Sequence, residues 1–255
     1  MYHSVTILGK NSWSDYHMVP IEGPYIPTPP EQKRTTIDLK TGNGVMDIST
    51  LLTGYPIFQN RSGSMTFYVL DEYDIAEYTN STVVSKTPYE VLSEIMNDIH
   101  GQEGTMYFED DPLWEYKGTF SVPNPIEYDI RRKVTINYDV YPYKTKRTAQ
   151  TITLSGSGDT WAHTNDLFED TLGYMPLNPT ITVRLESGAT WPSGQYALAA
   201  ITKYPYDGVS NAIQKKIYEP GAYQWADLMA VRKGRFYFKA PAGIIADWSF
   251  KQGRL

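Results

Sequence analysis

Alternation of apolar and polar positions dominates this chain. Between Arg131 and Tyr141, Val134, Ile136, Tyr138 and Val140 alternate with Lys133, Thr135, Asn137 and Asp139. That period of two predicts a strand with one buried and one wet face. Ser64–Leu70 repeats the pattern, with Met65, Phe67 and Val69 on one side. Tyr2–Gly9, Thr35–Leu39, Val45–Ile48, Thr105–Phe108 and Trp114–Val122 read as further strands. Thr41-Gly42-Asn43-Gly44 supplies the turn between two of them, its glycines suited to positive φ.

One segment changes period. Thr87-Pro88-Tyr89-Glu90 has the form of a capping box, with Thr87 as N-cap, Pro88 in the first turn and Glu90 reaching back. Val91, Leu92, Ile95, Met96 and Ile99 then recur at helical spacing. His100 falls in the last turn, where a positive charge is favoured, and Gly101 supplies the stop. The pattern predicts a single amphipathic helix laid on a sheet.

Past residue 144 the apolar runs are short and closely spaced: Gln150–Leu154, Thr180–Glu186, Tyr196–Thr202, Ile213–Tyr218, Arg235–Lys239 and Gly243–Lys251. Turn clusters such as Ser155-Gly156-Ser157-Gly158, Pro205-Tyr206-Asp207-Gly208 and Pro241-Ala242-Gly243 separate them. This predicts an antiparallel sandwich.

Residues 11–33 break every pattern. Pro20, Pro24, Pro27, Pro29 and Pro30 fall within eleven residues, which predicts an extended run outside any sheet ladder. The same segment carries Trp13, Tyr16, Met18, Val19, Ile21, Tyr25 and Ile26. It is too apolar for a free linker and should lie along a protein surface, its own or a neighbour's.

Composition adds a division. The 255 residues suffice for two ordinary domains, and 20% charged with 41% hydrophobic residues excludes global disorder. No apolar run approaches the roughly 18 residues of a spanning helix, and the N-terminus has no basic region leading into an apolar run, so no secretory signal is expected. Cysteine is absent, which removes disulfides, thiolate metal sites and cysteine nucleophiles. The 21 tyrosines suit half-buried sheet faces and wet interfaces. Residues 1–143 hold 20 acidic and 10 basic side chains, a net of −10; residues 144–255 hold 9 and 13, a net of +4. The reversal points to surfaces that face different neighbours. The step Tyr141-Pro142-Tyr143-Lys144 places the boundary between domains 1–143 and 144–255.

Candidate chemistry is sparse. Glu109-Asp110-Asp111 and the cluster Asp71, Glu72, Asp74 and Glu77 are the carboxylates to test against the paired acids of a glycosidase. Carboxylates just before Pro112 more often mark a turn between strands. His3, His17, His100 and His163 are scattered without metal-ligand spacing. Neither a nucleophile elbow nor a phosphate loop occurs. Lys144, Lys146 and Arg147, and later Arg232, Lys233 and Arg235, read as short solvated runs rather than a nucleic-acid patch. Trp248 alternates with core positions. Trp161, Trp191 and Trp225 sit near turns, where a ring could stack on a sugar. No residue is assigned as catalytic, cofactor-binding or metal-binding, and no cofactor is expected.

The order of local sequences over residues 1–144 resembles the distal tail protein family of phages with long non-contractile tails. The resemblance rests on Asn11-Ser12-Trp13-Ser14-Asp15-Tyr16, the passage Val19-Pro20 to Pro29-Pro30, Ile37-Asp38-Leu39, and Gly42-Asn43-Gly44-Val45-Met46-Asp47-Ile48-Ser49. Leu52-Thr53-Gly54, Asn60-Arg61, Asn97-Asp98-Ile99-His100-Gly101, Glu109 to Gly118 and Tyr141-Pro142-Tyr143-Lys144 follow in order. It implies a mainly β fold. Residues 1–143 would be a β-sandwich-like belt domain with one helix, and residues 144–255 a galectin-like or carbohydrate-module-like β-sandwich. It also implies a virion protein, made in the host bacterial cytoplasm: a hub in which six first domains form a ring between the tail tube protein and the tail tip protein. DNA would pass through the hole without specific binding. An acidic first domain suits that passage, because a wall that repels phosphates lets DNA slide. The second domain would meet a receptor-binding protein or a host glycan, although no loop here looks long enough for the arm by which some members grip a receptor-binding protein. Two other readings stay open on the residues alone: a lectin-like carbohydrate-binding module, and a polysaccharide-cleaving enzyme using Glu109 or Asp110.

Overall fold

The computed structural model describes residues 3–23, 25–38, 40, 44–51, 56–70, 87–123, 133–164, 179–202, 208–225 and 235–255. The turn residues Thr41 to Asn43, the Leu52-Thr53-Gly54 step, the Asp71–Glu77 cluster, Pro205 to Asp207, and Arg232 with Lys233 lie outside the described residues. The chain divides into two compact units, Met1–Lys144 and Thr145–Leu255.

The first unit contains β1 (Val5–Ile7), β2 (Lys10–Asn11), β3 (Met18–Pro20), β4 (Thr36–Asp38), β5 (Val45–Asp47), β6 (Arg61–Val69), helix α1 (Pro88–Ile99), β7 (Gln102–Phe108), β8 (Trp114–Ser121) and β9 (Lys133–Val140). Seven strands follow the antiparallel order β2-β1-β7-β8-β9-β6-β3. The two ends of this path are close in sequence. In a flat sheet six inter-strand steps would separate β2 from β3 by about 29 Å. The chain from Asn11 to Met18 reaches at most about 25 Å even fully extended. It is not extended: Met18 N–H donates to the Ser12 carbonyl at 2.7 Å, and Ser12 N–H donates to the Val5 carbonyl at 2.8 Å. The sheet therefore curls round one core. That core takes Val5 and Ile7 from one end, Met18 from the other, Phe67, Met106, Phe120, Val134 and Ile136 from between, and Val91, Ile95 and Ile99 from α1.

The Pro-rich segment departs from expectation. Met18–Pro20 joins the ladder, with Met18 opposite Val69, Val19 opposite Tyr68 and Pro20 opposite Phe67. An edge strand tolerates this, because the missing N–H of a terminal Pro leaves no central bond unmade. The segment's rings are held by its own unit. Tyr16 and Met18 are buried, and the Tyr25 hydroxyl donates to the Thr66 carbonyl at 2.5 Å.

Helix α1 is capped as its sequence predicts. Thr87 N–H donates to Glu90 Oε2 at 2.7 Å, and Glu90 N–H donates to Thr87 Oγ1 at 3.4 Å. The reading of His100 is corrected. Val122 N–H donates to its Nδ1 at 3.1 Å. The ring therefore accepts from the chain just after β8 and braces the helix end against it, rather than standing free in the last turn.

The chain runs on through β10 (Lys144–Lys146) into β11 (Gln150–Ser155), β12 (Ala162–His163), β13 (Thr180–Leu185), β14 (Ala197–Ile201), β15 (Ile213–Ile217), β16 (Gly221–Gln224), β17 (Phe236–Lys239), β18 (Ile244–Phe250) and β19 (Gly253–Arg254). Two four-stranded antiparallel sheets result, β11-β18-β13-β16 and β12-β17-β14-β15. Ile181, Val183, Ala246 and Trp248 from one sheet meet Ala197, Ala199, Phe236 and Phe238 from the other in a single core. The second unit is thus a sandwich. Trp248 stacks on Phe236 at 4.5 Å with planes 4° apart. Trp225, read from sequence as a turn residue, is also buried and lies 5.6 Å from Trp248. It follows directly on β16, so the strand carries it inward.

Candidate functional site

Among the described residues of the first unit, one element lacks a partner sheet. There β4 and β5 pair only with each other, with Thr36 opposite Asp47, Ile37 opposite Met46 and Asp38 opposite Val45. Below them the two chains stay together. Ile48 N–H donates to the Thr35 carbonyl at 2.9 Å, Lys33 N–H to the Ile57 carbonyl at 2.8 Å and Gln59 N–H to the Glu31 carbonyl at 2.8 Å. Residues 31–38 thus run beside residues 45–51 and 56–59 as a long ribbon.

Every residue of β4 and β5 is exposed. Ile37 is 51%, Met46 53% and Val45 59% open, and Leu51 is more open still. A two-stranded ribbon is marginal in water on its own, and three strands or a packed face are needed for independent stability. Short polar bonds hold the base of the hairpin. Thr35 N–H donates to Ser49 Oγ at 2.7 Å, and Ser49 N–H donates to Asp47 Oδ1 at 2.9 Å. The Ser49 hydroxyl and N–H hold the Asp47 carboxyl below the usual carboxylate range.

Arg61 anchors the root of the ribbon. Its Nε–H donates to the Pro142 carbonyl at 2.8 Å, and Nη1 donates to the Thr28 and Pro27 carbonyls at 3.4 and 3.5 Å. Its guanidinium lies 5.6 Å from the Tyr116 ring centroid. The residue is only 5% exposed, Nη2 has no hydrogen-bond partner among the described residues, and burial pushes its pKa down. Phe58 meets Tyr143 edge-on at 6.1 Å. One buried cation therefore ties the Pro-rich passage, the start of β6 and the end of the first unit together.

The candidate catalytic carboxylates are dispersed among structural partners. Glu109 Oε2 accepts from the Ser4 hydroxyl at 2.9 Å, Asp110 pairs with His3 at 2.8 Å, and Asp111 pairs with Lys144 at 2.6 Å. Lys144 Nζ also lies 5.4 Å from the Trp114 ring centroid, so the first of the basic residues after the boundary serves the fold. Among the described residues no group of three His, Asp or Glu side chains could hold a metal ion. Tyr16 donates to Asp98 at 2.8 Å; burial first, then that bond, push its hydroxyl pKa far up, so it titrates in no physiological range. The ribbon was legible from sequence as two strands. Its isolation was not, because nothing local states what a strand's second edge will meet.

No protein-family model and no curated protein matches this sequence. A search of solved structures gives a match over 100% of both chains, with 12% sequence identity and a TM-score of 0.60, to the crystal structure of the SPP1 Dit (gp 19.1) protein. That protein is described as a paradigm of the hub adsorption apparatus in phages infecting Gram-positive bacteria. From end to end, this chain is folded like that phage hub protein.

Proposed function

We propose that this chain is a non-enzymatic hub at the distal end of a long non-contractile phage tail. In this reading six copies close a ring through residues 1–143, the ring joins the tail tube protein to the tip protein, and DNA passes through its hole. The observation that carries it is the end-to-end fold match to a phage hub protein, which leaves neither unit of the chain unaccounted for. The ribbon built on β4 and β5 supports the ring, because an exposed apolar two-stranded hairpin gains a third strand or a packed face from a neighbouring copy. The acidic first half, at −10 per copy, gives six copies a wall that repels DNA phosphates. The galectin-like second domain, at +4, meets a receptor-binding protein or a host glycan in this reading. The structural pairings of Glu109, Asp110 and Asp111, each with a different partner, weigh against the enzyme reading that used them.

Light scattering coupled to size exclusion, with negative-stain images, tests this reading. The expected mass is six times 29.0 kDa, with an annular image. A stable dimer or trimer without a ring would refute the architecture.

A further inference from the structure

The ribbon of β4 and β5 has two unlike faces. Ile37 lies opposite Met46, so these two side chains share one face. Thr36 lies opposite Asp47 and Asp38 opposite Val45, so those four share the other. Ile48, two residues beyond Met46, extends the first face as a half-buried side chain. Over β4 and β5 the first face therefore carries no charge, and the second sets two carboxylates around Val45.

Charge decides which face can meet a neighbour. The Ser49 hydroxyl and N–H both donate to Asp47 Oδ1, which fixes that carboxylate on its face. A second copy brings the same acidic surface, since residues 1–143 carry a net of −10. Setting the Asp38 and Asp47 face against it would take two carboxylates out of water beside like charge, which opposes contact. Setting the Ile37 and Met46 face there removes apolar surface from water and desolvates neither carboxylate. Pairing along a strand edge alone would add a strand yet leave Ile37 and Met46 as a face in water.

We propose that the ribbon docks by its Ile37 and Met46 face on a second copy of the chain, and that Asp38 and Asp47 stay in water on the face turned away. The docking rests on the ring reading, which brings copies together through residues 1–143. The register adds which side chains touch and which do not. Each copy then keeps two carboxylates that no contact between copies buries, and these add to the surface that repels phosphate.

The chain has no cysteine, so one thiol can be placed at a time. Ile37→Cys, Met46→Cys, Thr36→Cys and Asp38→Cys all fall at exposed positions and should leave the thermal transition unchanged. Alkylation of each full chain by a neutral maleimide is followed from dilute to concentrated protein, with light scattering on the same samples. The thiols at 37 and 46 should slow at least tenfold as copies assemble, and those at 36 and 38 less than twofold. Met46→Asp should raise the concentration for half assembly at least tenfold, whereas Asp38→Asn should not raise it. Protection at 37 and 46 in a particle of two or three copies refutes the six-copy ring and leaves the docking face standing. A ring of six in which 36 and 38 are protected as strongly leaves the ring standing and overturns the face. Rates that ignore concentration overturn the docking whatever the mass.

Discussion

The two units bury apolar surface in different ways. The second closes on itself: two four-stranded sheets face each other, and Trp248, Phe236 and Trp225 fill the space between. The first curls one sheet round its core and α1, yet leaves the ribbon of β4 and β5 with Ile37, Val45 and Met46 in solvent. The second leaves Ile213 and Tyr218 open, but on or beside a strand of a four-stranded sheet. The first holds apolar residues outside on a hairpin too thin to stand alone. The contrast teaches where to look for assembly: at the element whose apolar residues find no further strand among the described residues.

The sharpest way to break this contrast is to remove the ribbon. Replacing residues 36–47 by a short glycine turn should convert a six-copy species into a monomer while both units stay folded. Light scattering and circular dichroism would read this, and an unchanged ring would show that the hairpin is not its contact. Deleting residues 11–33 would not make the same test. It removes Tyr16 and Met18 from the core and β3 from the sheet, so the first unit itself should unfold.

A second perturbation probes the self-contained unit. Residues 145–255 should fold alone with one cooperative thermal transition. Trp248→Ala, at a fully buried position stacked on Phe236, should cost that fragment about 3–5 kcal/mol by chemical denaturation. A broad, non-cooperative melt of the unmodified fragment would mean that the sandwich needs the first unit.

Salt separates the units more gently. The acidic first half repels its own copies, and 0.1 M salt screens such repulsion beyond about 10 Å. Ring formation should therefore strengthen severalfold between 0.01 and about 0.15 M NaCl, measured by sedimentation, with the melt of the second fragment nearly unmoved. Weakening over that range would point to an interface held by opposite charges.

The smallest effect concerns pH. The Arg184 side chain, 2.7 Å away, and then the Thr153 hydroxyl, at 2.6 Å, hold the Asp247 carboxyl below its usual value. A carboxyl with a depressed folded pKa contributes stability above its unfolded pKa of about 3.9, and that stability is lost as pH falls through the lower folded value. The second fragment should lose stability below about pH 4, and Asp247→Asn should flatten that loss. An acid profile identical in both proteins would show that the pair contributes nothing.

Local order in this chain is legible because it is set by near neighbours. The alternation in β6 and β9 fixed the buried faces, and the capping box fixed the start of α1, since both depend on residues a few positions apart. His100 and Trp225 misled for the same reason. Near neighbours suggested a helix-end charge and a turn, whereas Val122 and Trp248, distant in sequence, made them a hydrogen-bonded brace and a core ring.

The sequence by itself determined that the chain is mainly β with a capped helix, that it lacks cysteine, and that its charge reverses between halves. Only the tertiary structure decided the rest. The curl of the first sheet follows from the short reach between β2 and β3, at opposite ends of a seven-strand path. The isolation of β4 and β5 depends on which strands lack neighbours. Periodicity reports which side of a strand is buried, while strand order and loop juxtaposition are set by contacts between residues far apart in the chain, which no local pattern records.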